Sequence, residues 1–323
     1  MYKASHGFFS QRSGQKLNHH RIRLIIWIEV KYHMPDTGKI FDVYIAIDFS
    51  GSKNLYSQKQ HIAYAEMDSN VQKPIVDTGY SRLSVIEYLL ERLKYYNEKQ
   101  KRVLLGFDFS YSFPKGFWST LTNTDETWEV MLRGMAEGLK DIPPIIEEPG
   151  SNARKWAETA NEIIIRKLKT NYGPFWGPNF IQSKDPKFFV HQALPFSEYR
   201  LVEQNVTRCK PIFKIGGHGT VGLQSLCGIP LLHSLKSRCL TENISLYSWP
   251  FDGWDILEGN MLVEWYPAIY NTGKKSDIDD AKVCVEWARS MDNQGLLKPY
   301  FHPILSEKGK IQARFEGWIL GVK

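Results

Sequence analysis

The chain is expected to fold as an α/β protein, a mixed sheet flanked by helices, on three observations. Two strongly apolar runs, VYIAIDF (43–49) and VLLGFDF (103–109), have the character of buried strands. An alternating segment and a helix-period segment lie between them, and strand, hairpin, helix, strand in that order builds a layered core. Both runs also carry an aspartate at the same place, near the end of the strand.

The elements follow in order. KQHIAYAEM (59–67) alternates like a strand with one wet face, SGSKNLYSQ supplies the turn before it, and a third strand is expected near 73–77. Over 81–97, Val85, Ile86, Leu89, Leu90 and Leu93 fall on one helical face, with Ser84 and Glu87 spaced as a capping box. SYSFPKGF (110–117) breaks regular structure after the next strand. From about 120 to 250 regularity weakens, with helical stretches at 127–140 and 151–170 and the Pro/Gly/aromatic segment NYGPFWGPNF (171–180). This region reads as a large, mainly helical and irregular insertion or cap. Periodicity returns with a strand at 260–266 and a helix at 277–291, and EGWILGV (316–322) closes the chain. Residues 1–33 are polar and His-rich and read as a dispensable extension, leaving 34–323 as the working domain.

Composition excludes several classes. At 42% hydrophobic and 24% charged residues the 323-residue chain is ordinary globular protein, not disordered or fibrous. Its longest strongly apolar run, 24–28, is far short of the roughly 20 residues needed to cross a bilayer. Four cysteines lack metal-finger spacing, so reduced thiols and a cytoplasmic location are expected. The net charge of +6 resides mostly in 1–33, which carries +5; within the body, 151–215 sums to +6 between flanks of −4 and −1. That basic middle interleaves Tyr172, Phe175, Trp176, Phe180, Phe188, Phe189, Phe196 and Tyr199. Such rings serve either as a single-strand-binding surface or as the cap's own core.

Asp48, Asp108 and Glu264 stand at or near strand ends, and Asp279 and Asp280 open the last long helix. Carboxylates in apolar strands are costly to desolvate and need a partner. Several converging from separate elements suit a hard cation, Mg²⁺ or Mn²⁺, and phosphodiester cleavage. Asp279 and Asp280 are adjacent, about 100° apart around a helix, so one of the two is expected to face the metals.

The elements IAIDFSGS, LLGFDFSYSFPKGF, FKIGGHGTVGLQSLCGIPLL, YSWPFDGW, LVEWYP, DDAKVCVEWA and EGWILGV occur in this order. In this the chain resembles a family of uncharacterised bacterial proteins predicted to be RNase H-like nucleases, some of which carry labels from cobalamin or molybdopterin-guanine dinucleotide biosynthesis. The resemblance spans about 44–322. It implies a ribonuclease H-like fold with Asp48, Asp108, Glu264 and Asp280 as the acidic, metal-holding set, and Asp279 competing for the last place.

Around these acids, Ser50 and Lys53 of DFSGSK, the cations Arg200 and Lys214, and Gly217, His218 and Gly219 of KIGGHGTVG are candidate phosphate or substrate contacts. The glycine-rich stretch reads equally as a tight structural turn. The expected activity is a metal-dependent nuclease or phosphodiesterase acting on nucleic acid. Two other readings stand beside it. One is an actin-like or sugar-kinase-like ATP-dependent phosphotransferase, in which DFSGSK forms a phosphate loop; the other is a non-catalytic binding module that keeps the fold.

Overall fold

The computed structural model describes residues 38–147, 151–178, 187–190, 194–206, 209–217, 220–256, 258–270 and 276–323. The extension 1–33 lies outside the described residues. The first elements are β1 (Val43–Asp48), α1 (Leu55–His61), β2 (Ala63–Asp68), β3 (Ile75–Asp77), α2 (Arg82–Glu98) and β4 (Val103–Phe107). Then come α3 (Phe117–Thr122), α4 (Trp128–Glu137), α5 (Ala153–Leu168), α6 (Lys187–Val190), α7 (Leu201–Gln204) and α8 (Gly222–Thr241). The chain returns to the sheet with β5 (Leu246–Ser248) and β6 (Asn260–Glu264) and ends with α9 (Asp277–Asn293) and α10 (Glu307–Glu316).

The described strands form one mixed sheet in the order β3-β2-β1-β4-β6-β5. The hairpin side, β1 with β2 and β2 with β3, is antiparallel, whereas β1, β4, β6 and β5 run parallel. Strand side chains alternate between faces, so a strand buried throughout must be covered on both. Val43, Ile45 and Ile47 of β1 join a core with residues of α2, α4, α5 and α8, while Tyr44 and Ala46 pack among residues of α9 and the C-terminal segment. The α9 cover also explains why β2 is buried on both faces rather than wet on one. Each fully buried Leu, Ile or Val contributes about 1.5–3 kcal/mol by leaving water. A buried carboxylate fixes the start of the domain: Asp292 accepts from the N–H groups of Ile40 (3.0 Å) and Phe41 (2.8 Å) and from the Tyr44 hydroxyl (2.7 Å).

Three local expectations change. The segment before β2 contains a helix, α1, capped by Asn54, whose side chain accepts from Ser57 N–H at 3.2 Å. Its single buried residue, Gln58, bonds Ser52 O and accepts from Arg82 N–H. The capping box of α2 is Ser81 with Ser84, one turn earlier than Ser84 with Glu87. The third is α8, a 20-residue helix in the mainly helical and irregular cap, beyond the two helical stretches expected there. It contains Gly228 and Pro230 and is buried around much of its circumference, so it lacks the one-sided apolar stripe by which a surface helix is read. Gly228 is required by packing, because a Cβ there would lie 2.2 Å from the Phe109 ring.

Candidate functional site

The parallel strands bring the acids to one edge of the sheet. Ile47 is registered with Phe107, and Phe107 with Glu264, so Asp48, Asp108 and Glu264 all stand at the carboxyl ends of three neighbouring strands. Ligand crevices in open α/β sheets form at such ends. Asp48 and Asp108 are hydrogen-bonded to each other, and Asp108 Oδ1 also accepts from Phe49 N–H at 2.8 Å. Burial pushes the Asp48 carboxyl well above the usual range, and the charges of Asp108, Asp277 and Asp280 push it further. Burial likewise raises Asp108 to about 6; the Asp280 charge adds to the rise, while the bonds from Asp48 and Phe49 oppose it. Burial and mutual repulsion thus both favour a protonated carboxyl in this pair, where an isolated one would be ionised.

Asp280 reaches the same place from α9. With Asp108 and Glu264 it lines a cavity of about 590 Å³, whose walls also include Ser110, Arg200, Lys210, Thr220, Gln224 and Trp265–Ala268. Cys284, one turn after Asp280, is buried behind the acids, and its thiol donates to Asp280 O at 3.2 Å. A larger cavity, about 670 Å³, between α4, α8 and β5 shares no lining residue with the acidic one.

Glu264 and Asp279 are drawn into other work. Arg200, 1% exposed, holds Glu264 in a two-pronged ion pair, Nη2 to Oε1 at 2.5 Å and Nη1 to Oε2 at 2.8 Å. Its remaining N–H groups go to Glu203 Oε1 (2.9 Å), Glu316 O (2.9 Å) and Ser110 Oγ (3.0 Å). All five guanidinium N–H groups are thus used, and Arg200 has none left for a phosphate. Asp279 closes the capping box at the head of α9, accepting from the N–H and the hydroxyl of Ser276. Of the adjacent pair, Asp280 is the one at the cavity.

The expected phosphate contacts divide in the same way. Lys214 Nζ sits 5.5 Å from the centre of the Trp176 ring, and Lys210 lines the cavity instead. Lys53 is exposed and Ser50 is buried, its Oγ accepting from Ser52 N–H at 3.2 Å. Phe49 and Ser52 have thus already committed two N–H groups of the DFSGS loop within the protein. The loop is clamped from behind by Arg82, 1% exposed, which donates to Ser50 O (2.9 Å) and Ser52 O (2.6 Å) and pairs with Glu147. From the front, Gln224 Nε2 bonds Phe49 O. Gly217 has a left-handed φ of +93°, and a Cβ on Gly222 would lie 2.4 Å from Ile212 O, so tight chain approach accounts for these two glycines. His218 and Gly219 lie outside the described residues. Most of the basic region's rings are core: Phe175, Phe188 and Phe196 are buried and Trp176 and Phe189 partly so, while Tyr172 is 38% exposed. Phe180 lies outside the described residues.

Two residues at this edge had no signal in the sequence reading. His61, at the end of α1, places Nδ1 2.8 Å from Asp277 Oδ2. Asp277 is one of the charges acting on Asp48.

Among the described residues, no three His, Cys, Asp or Glu side chains are grouped so as to hold a metal ion. The donor chemistry of Asp48, Asp108 and Asp280 nevertheless suits a hard cation: every donor atom is an oxygen, and the repulsion among these carboxylates is what a divalent ion would relieve. Glu264 does not fit that role while Arg200 occupies both its oxygens. The four cysteines are free thiols, and no described helix is long and apolar enough to cross a membrane. Comparison with family models, curated proteins and solved structures finds no significant match.

Proposed function

We propose that the protein is a ribonuclease H-like, divalent-cation-dependent nuclease or phosphodiesterase acting on nucleic acid. The observation that carries this reading is the hydrogen-bonded Asp48–Asp108 pair at the carboxyl ends of adjacent parallel strands, under the charge of Asp280 and beside a cavity of about 590 Å³. The mixed sheet flanked by helices, and the ordered motifs from IAIDFSGS to EGWILGV, agree with it.

In this reading Asp48, Asp108 and Asp280 would hold Mg²⁺ or Mn²⁺. The chemistry the cation supplies is activation of a water toward phosphorus and offset of charge on the departing oxygen. The chain's own groups do the rest. Arg82 and Gln224 keep the loop after β1 in place, so that Asp48 is presented at a fixed position. Arg200 pairs with both Glu264 and Glu203, so one of the two further negative charges that would crowd the acidic pair is offset. Lys210, Thr220 and Gln224 give the cavity polar groups suited to a phosphate.

The test is incubation with Mg²⁺ or Mn²⁺ and single-stranded, duplex and hybrid oligonucleotides, with Asp48→Asn alongside. Cation-dependent cleavage that disappears in the variant is expected; cleavage that survives Asp48→Asn unchanged contradicts the assignment.

A further inference from the structure

The antiparallel hairpin returns the chain to the acidic edge of the sheet. Asp48 is registered opposite Ala63, so His61 stands two residues before the position facing the first acid. From the other side comes Asp277, three residues before Asp280 on α9, a spacing that puts the two carboxylates on the same helix face. The imidazole of His61 and the carboxylate of Asp277 meet at 2.8 Å, with side-chain exposures of 57% and 42%. A contact this exposed contributes little to stability. What it does accomplish is orientation: a carboxylate at Nδ1 selects the tautomer and aim of the ring and leaves Nε2 to exchange a proton.

We propose that His61, oriented by Asp277, is the general acid that protonates the leaving sugar oxygen when a phosphodiester is cleaved at the Asp48–Asp108 site. This rests on the hydrolytic reading above. Water oxygen forms a bond to phosphorus and loses a proton to solvent, and the bond from phosphorus to the leaving oxygen breaks, the electron pair staying on that oxygen. The proton on His61 Nε2 passes to it, giving a hydroxyl, and the neutral ring regains a proton from solvent. Asp277 is a positioning residue that holds Nδ1–H throughout.

The test compares two oligonucleotides in Mn²⁺, one with normal linkages and one whose bridging leaving oxygen is replaced by sulfur, since a thiolate departs without needing a proton. His61→Ala is expected to lower cleavage of the normal linkage about 100-fold while leaving the sulfur-bridged one near the wild-type rate. Free imidazole should restore part of the lost activity. Asp277→Asn should show the same pattern with a smaller loss. Equal losses on both substrates, or no loss on either, overturn the assignment of His61 while leaving the nuclease reading intact. Wild-type protein that cleaves neither substrate, or cleavage independent of Asp48, overturns the nuclease reading and this inference with it.

Discussion

Asp108→Asn tests the buried carboxyl pair directly. Asparagine keeps the shape: its amide oxygen can accept from Phe49 N–H, as Asp108 Oδ1 does at 2.8 Å, and its NH₂ can donate to Asp48. What it removes is a titration. Burial raises Asp108 from the ordinary 3.8 to about 6. A carboxyl with a raised folded pKa binds its proton more tightly when folded, so the stability it contributes is complete below about pH 4 and is lost as pH rises through 6. The rise of about two pH units corresponds to about 3 kcal/mol at 1.36 kcal/mol per unit. Relative to wild type, the variant should therefore gain about 3 kcal/mol between pH 4 and pH 7. In a domain of this size that is a gain of about 5 °C in Tm. Groups outside the pair are common to both proteins and cancel in the difference, whereas Asp48, relieved of the Asp108 charge, ionises more readily in the variant and adds to the gain in the same direction. Urea unfolding in chelator-treated buffer from pH 4 to 7 measures it. A difference that stays flat with pH, or falls, refutes the claim that these two acids are a desolvated pair that favours a protonated carboxyl.

The remaining predictions follow from single side chains. Arg200→Met should cost about 3–5 kcal/mol in urea unfolding, because Glu264 and Glu203 are left buried without their counter-charge; a loss under about 1 kcal/mol would show that Arg200 is not what offsets their charge. Asp279→Ala should cost less than about 1 kcal/mol and leave cleavage intact, since it removes only a cap contact, whereas Asp280→Asn should abolish cleavage; equal effects in the activity assay would contradict the separation of the two. Gly228→Ala should destabilise by about 1–3 kcal/mol, because the added methyl meets the Phe109 ring; an unchanged urea midpoint would show that α8 can shift away.

The acidic strand ends were legible because an aspartate inside VYIAIDF or VLLGFDF is expensive unless something uses it, and the short apolar runs themselves marked those strands. Their convergence depended on the parallel register of β1, β4 and β6, which local pattern does not encode. Glu264 read like its neighbours in sequence, yet its environment is set by Arg200, 64 residues away. Arg200 and Lys214 read as free cations because charge is visible in a sequence and its partner is not. For α8 the obstacle was different: a helix buried around much of its surface carries no amphipathic stripe. The aromatic run of 171–199 could not be divided into exposed and core rings by composition, and burial assigned Phe175, Phe188 and Phe196 to the core. His61 was hidden by the reading of its segment as turn and strand, where a helix end is what brings it to Asp277.

The most direct test of the central claim is a crystal soaked in Mn²⁺ and measured for anomalous scattering. A peak is expected among the carboxylates of Asp48, Asp108 and Asp280, with Glu264 still paired to Arg200, and no such peak in Asp48→Asn. Absence of the peak in wild-type crystals at saturating Mn²⁺, or a peak bound elsewhere with the Asp48–Asp108 hydrogen bond intact, would contradict it.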